Sequence, residues 1–191
     1  DACDPVDLDV RYLNKVQKVY IAYYLRPADP VGLEWWAQQL KDNNGNMSAI
    51  IDQFASSEES IRLWGKINSG NIEGVINTIY QKLFGRRADE AGKQYYVDGF
   101  RSGLFTAGSI VLDILNGAQD EDEQAINNKV SYANQFVSVL DPDGDYEGPF
   151  EATYNANDAE AVRDLLDNIT SEMQEISLDE VKRHVIQHIA E

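Results

Sequence analysis

A shift of sixty residues lays one part of this chain on another without a gap. Tyr20 falls on Tyr80, Tyr24 on Phe84, Arg26 on Arg86, Ala28-Asp29 on Ala88-Asp89 and Gly32 on Gly92. Trp35-Trp36 falls on Tyr95-Tyr96, Leu40 on Phe100 and Lys41 on Arg101; Ile50, Ile51 and Phe54 fall on Ile110, Val111 and Ile114. Apolar meets apolar, and the glycines coincide. A repeated unit of this size cannot bury its apolar face alone, so the pattern calls for two similar units packed together.

Each unit reads as helices. Val16, Val19, Tyr20 and Tyr23 keep the three-four spacing of an amphipathic helix, as do Ile72, Ile76, Ile79, Tyr80 and Leu83. In "ADPVG", Asp29 is placed to cap a new helix with Pro30 as its first residue, and Asp89 and Glu90 of "ADEAG" do the same. Gly32 and Gly92 then fall inside the new helices, where glycine costs about 1 kcal/mol relative to alanine. Their recurrence predicts a close approach that a side chain would block. "MSAIIDQFASS" and "TAGSIVLDILNG" supply a third helix to each unit, and "EESIRLWGKIN" a short connecting one. "DEDEQAINNKVSYANQFVSVL", "NDAEAVRDLLDNIT" and the segment opening at Ser177-Leu178-Asp179-Glu180 read as further helices, the last with a capping-box start. No alternating strand of convincing length is present. The expected fold is all-α, a helical bundle of two tandem three-helix units, about 10–65 and 70–120, and a following helix to 140. An acidic loop and C-terminal helices at 141–191 pack on the same body.

The chain of 191 residues is 43% hydrophobic, so it can bury a core. Its net charge of −17 argues against nucleic acid, whose affinity comes largely from Lys and Arg meeting phosphates, and against anionic lipid. That acidity suits a salty or calcium-rich medium, or serves solubility alone. The single cysteine, Cys3, excludes an internal disulfide and a thiol metal site. No apolar run approaches a membrane span, so no membrane insertion is expected. No signal peptide is evident; the chain is expected to be a mature form or an excised domain.

The second unit carries "IYQKLFGRRADEAGKQYYVDGFRSG", then "SIVLDILNGAQDED" and "NNKVSYANQF". Through Tyr80, Phe84, Gly85, Arg86, Ala88, Asp89, Gly92, Tyr95 and Tyr96, then Asn128, Lys129, Ala133 and Phe136, it resembles a bacterial module of unassigned function. That module occurs in secreted and surface proteins, among them S-layer proteins and calcium-binding type I secreted proteins. The first unit matches more loosely, with Leu25 in place of the glycine of Phe-Gly-Arg. A weaker similarity, through Tyr-x-x-x-Phe-Gly-Arg, runs to the helical linker domains of phycobilisomes, from whose basic surfaces this acidic chain departs. The resemblance implies a non-enzymatic module, secreted or at the cell surface. Its implied partners are cell-envelope polysaccharide or other surface proteins, with calcium as a helper.

The candidate ligand-binding residues are Trp35 and Tyr95 with Arg26 and Arg86. Neighbours on a helix lie about 100° apart, so Trp35-Trp36 and Tyr95-Tyr96 cannot form flat platforms. One ring of each pair is expected in the core and the other at its boundary. Arg26 and Arg86 serve either as anion or glycan contacts or, the preferred reading, as partners of helix C-terminal carbonyls or a buried carboxylate. In "LDPDGDYEGPFE", Asp141, Asp143, Asp145 and Glu147 alternate along a turn-rich loop. Calcium takes six to eight oxygens, and such a loop can turn several inward. The loop departs from an EF-hand in its glycine position and lacks the closing glutamate, and Asp, Gly and Pro also form turns without metal. His184 and His188 share a helical spacing that can hold a metal, but no third ligand is evident, so a packed helix face is expected. There is no nucleophile elbow, no phosphate-binding glycine loop and no close Cys-His pair, so no enzyme is expected. The alternatives are an accessory domain of a larger glycan-processing enzyme and a protein-assembly scaffold.

Overall fold

The structure is a computed structural model that describes residues 9–148, 150, 152, 154, 158–173 and 176–189. Among them lie ten helices and no strand: α1 Val10–Tyr24, α2 Pro30–Asp42, α3 Ser48–Ala55, α4 Glu58–Trp64, α5 Ile72–Phe84, α6 Glu90–Ser102, α7 Ile110–Asn116, α8 Asp120–Leu140, α9 Ala159–Asp167 and α10 Leu178–His188. The fold is therefore all-α. Cys3 lies outside the described residues. No described helix is long and apolar enough to cross a membrane.

Two turns, sixty residues apart, make the same contacts. The Asp29 carboxylate accepts the Gly32 amide at 2.7 Å, and the Asp89 carboxylate accepts the Gly92 amide at 2.7 Å. Each bond satisfies one of the free N–H groups that open a helix. Before each turn the chain passes through the left-handed region, at Leu25 (φ 55°) and at Gly85 (φ 72°). Glycine enters that region without cost, whereas Leu25 adopts it against its own side chain. The helix glycines answer to tyrosine. A Cβ at Gly32 would run into the Tyr20 hydroxyl, and one at Gly92 would stand 3.2 Å from that of Tyr80. The close approach expected from the sequence is thus α1 against α2 and α5 against α6, through one ring each.

The likeness ends at burial. Over its last two turns α1 buries Val16, Gln17 and Val19 to Tyr23, nearly its whole circumference, against α2, α3, α4, α7 and α8. A helix enclosed on all sides is a core helix. α5 buries one stripe: Ile72, Ile76, Ile79, Tyr80 and Leu83. Gln17 is fully buried: its side-chain carbonyl accepts the Ala28 amide at 3.1 Å, which pins the first turn, while its Nε2 has no partner among the described residues. The C-terminal carbonyls of α1 find donors as well. Tyr23 accepts the Trp64 indole N–H at 3.1 Å and Tyr24 the Arg163 Nε at 2.8 Å.

The C-terminal helices close over α8, and a single apolar cluster runs from Val16 to Ile189. The neighbours Asn128 and Lys129 hold the end of α9. Asn128 donates to the carbonyls of Thr170 (2.8 Å) and Met173 (3.2 Å), and the Lys129 ammonium to that of Leu166 (2.5 Å). Burial pushes Lys129 down to about 8, with the Asp167 charge opposing. His184 packs toward Tyr132, its Nδ1 lying 3.1 Å from the hydroxyl, and burial lowers its pKa. His184 is thus partly packed as expected, whereas His188 is exposed.

Candidate functional site

Helix α6 projects Tyr95 and Tyr96 from adjacent positions, so their rings stand at 77° with centroids 5.1 Å apart. Tyr96 is 6% exposed and Tyr95 58% exposed. Beyond the helix the chain turns back and lays Phe105 against both, at 5.3 Å from Tyr96 and 5.7 Å from Tyr95. Two glycines make room. A Cβ at Gly99 would strike the Phe105 ring, and one at Gly117 the Tyr96 hydroxyl. The result is an open groove of about 580 Å3 between α6 and α7, its aromatic wall facing Asp113, Asn116 and Gln119. Burial raises the Asp113 pKa against a hydrogen bond from Ser109.

A second hollow, about 560 Å3, joins the first at Tyr80, Gly117 and Gln119 and continues along the start of α8. Arg86 lines it. Its guanidinium grips Asp122 with two bonds, at 2.9 and 2.5 Å, donates to the Arg87 carbonyl at 3.0 Å and stands 5.2 Å over the Tyr80 ring. The arrangement offers a stacking ring, side-chain amides and carboxylates on one open face. Those are the elements of polar small-ligand recognition.

The residues that build this groove are not repeated sixty positions earlier. Residues sixty positions earlier replace Gly99 by Gln39, Phe105 by Gly45, Asp113 by Gln53 and Gln119 by Glu59. Trp35 is 51% exposed, while Trp36 lies half-buried on Phe54 at 4.8 Å, the two indoles at 85°. Each pair thus divides as the helical geometry requires, one ring turned outward and one inward. Arg26 is largely enclosed. It binds Glu59 through Nε (2.8 Å) and Nη2 (3.0 Å), donates to the Pro27 carbonyl (3.2 Å) and lies 5.2–5.4 Å from the rings of Tyr20, Tyr24 and Tyr154. Arg163 binds the same Glu59 carboxylate. Burial works against the Glu59 charge, but the two guanidiniums outweigh it and hold its pKa below the ordinary range.

The acidic loop brings Asp141, Asp143 and Asp145 together, with carboxylate oxygens within 4.8 Å of one another; Glu147 lies outside this group. Asp141 is buried and accepts the Tyr146 amide at 3.1 Å, and Asp145 accepts that of Glu147 at 2.9 Å. Burial raises the Asp141 pKa, and Asp143 and Asp145 raise it further. Three converging carboxylates suit a hard cation whose other positions are filled by carbonyls and water.

Of the four ligand-binding candidates named from the sequence, the structure places Tyr95 and Arg86 on the joined groove and Trp35 and Arg26 away from it. Sequence reasoning misses Phe105, Asp113, Asn116 and Gln119. The available signal was the pair Gly99 and Gly117, which have no glycine sixty residues earlier and mark where a ring must seat.

No curated protein and no solved structure matches the chain. Residues 71–122 match the model of a domain of unknown function, DUF4214, a span that covers α5 to α7 and the first turn of α8 and so contains the groove, from Tyr80 and Arg86 to Asp122.

Proposed function

We propose that the chain is a non-enzymatic binding module of a secreted or cell-surface protein, built on two related helical units, that holds envelope polysaccharide in the groove between α6 and α7. The open aromatic wall of Tyr95 and Phe105, faced by Asn116 and Gln119, carries this reading. Sugar rings present apolar faces that stack on aromatics and hydroxyls that pair with amides and carboxylates. Tyr95→Ala is expected to weaken binding to isolated envelope polysaccharide about tenfold, the equivalent of ~1.4 kcal/mol. It should leave the melting temperature in place, because the ring is largely outside the core. Unchanged affinity in the variant, or no binding by the parent chain, overturns the proposal.

Calcium belongs to this reading as a structural helper at Asp141, Asp143 and Asp145, with Glu147 at the rim. A cation bound only by the folded chain raises stability by mass action. Millimolar calcium is expected to raise the melting temperature, and Asp143→Asn to remove the rise. A melting temperature indifferent to calcium contradicts the site.

Assembly with other surface proteins is the second reading. It is favoured by Val31 and Trp35, exposed at 52% and 51% and four residues apart on α2.

A further inference from the structure

We infer that the joined groove selects a glycan bearing free amino groups, a cationic amino sugar, over neutral or acidic polysaccharide. This rests on the glycan reading above and specifies the ligand's charge. Five carboxylates line the two hollows, Asp89, Asp113, Asp120, Glu121 and Asp122, against one cation, Arg86. Arg86 is already bound to Asp122, and Asp89 is engaged with the Gly92 amide. Among the described residues, Asp113, Asp120 and Glu121 therefore line the groove without a paired cation.

The helix dipole accounts for part of this, since Asp120, Glu121 and Asp122 open α8, where negative charge is favoured. Asp113 too stands in the first turn of its helix, α7, but unlike the others it lies among the aromatic rings of the groove and is partly buried there. Half-buried and unneutralised, Asp113 would gain from an ammonium beside it. The neighbouring Tyr95 ring adds attraction for the same charge. A polyanion meets the opposite: a groove of like charge on a chain of net charge −17.

The test compares short glucosamine oligomers with their N-acetylated counterparts by titration calorimetry at about pH 6, where a sugar ammonium and ordinary carboxylates are both charged. The amino form is expected to bind at least tenfold tighter. That preference should shrink in Asp113→Asn, in the exposed variant Glu121→Gln and at high salt, while Tyr95→Ala weakens both sugars. Equal binding of the two oligomers overturns the amine preference and leaves the glycan reading standing. Binding of neither, with envelope polysaccharide also unbound, removes both. Polylysine binding as tightly as the amino sugar shows attraction by charge alone and overturns the inference, as does an acidic polysaccharide that binds more tightly in the presence of calcium.

Discussion

Arg26→Ala is expected to lower the unfolding free energy by about 2–4 kcal/mol, whereas Arg86→Ala, at the matching position, should cost about 1 kcal/mol or less. The two arginines have the same chemistry and different surroundings. The Arg26 and Glu59 side chains are 14% and 21% exposed, and the guanidinium is also ringed by three tyrosines. Removing it leaves a partly buried carboxylate with only Arg163 to hold it. Arg86 is 45% exposed, and although the Asp122 carboxylate is only 14% exposed it stands in the first turn of α8, whose dipole still favours its charge when the guanidinium is gone. Urea denaturation measures both. Equal losses would show that burial does not separate the two turns. The Arg26 cluster also shapes the acid limb. Glu59 has a lower pKa folded than unfolded, so the unfolded chain takes up its proton first. The stabilisation is therefore present at neutral pH and is lost as pH falls through Glu59's folded pKa, below the ordinary ~4.3. Arg26→Ala should flatten this acid dependence.

Phe54→Ala is expected to cost about 3–5 kcal/mol, the range for a fully buried aromatic whose space cannot collapse. The ring is 0% exposed and touches Tyr20 (5.1 Å), Tyr23 (6.3 Å), Tyr24 (5.0 Å) and Trp36 (4.8 Å). Four aromatic neighbours anchored on α1 and α2 cannot close over a gap the size of a benzene ring. The same substitution should shift the tryptophan fluorescence, because Trp36 loses its inner contact. A loss below about 1 kcal/mol in urea denaturation would mean that this cluster does not carry the first unit.

Much of the fold was legible because it is written in local chemistry. Asp29 and Asp89 cap where an aspartate before a helix start should, and the in-helix glycines pointed to close contacts that proved to be tyrosine hydroxyls. That one ring of each adjacent pair turns outward follows from helical geometry; that it is Trp35 and Tyr95 comes from the packing. The all-round burial of α1 was not legible, since it depends on which unit the others pack around; Gln17 reads as a surface residue until the Ala28 amide is beside it. The roles of Asn128 and Lys129 depend on a helix end some forty residues onward, and that of Phe105 on a chain reversal that sets it over Gly99. Such pairings leave no periodic signal. Glu147 shows the same limit within a loop: alternation predicted four converging acids, and the backbone brings together three.

The central claim is that the groove of the second unit, between Tyr95, Phe105, Asn116 and Gln119, is where this chain holds its ligand. Amide and aromatic NMR shifts followed during titration with short glucosamine oligomers test it most directly. The account predicts that the largest shifts fall on Tyr95, Phe105, Asn116, Gly117 and Gln119, with Trp35 and the first turn unmoved. Shifts centred on α2 around Val31 and Trp35 would contradict it, as would a groove left unmoved by both these oligomers and fragments of envelope polysaccharide that bind the chain.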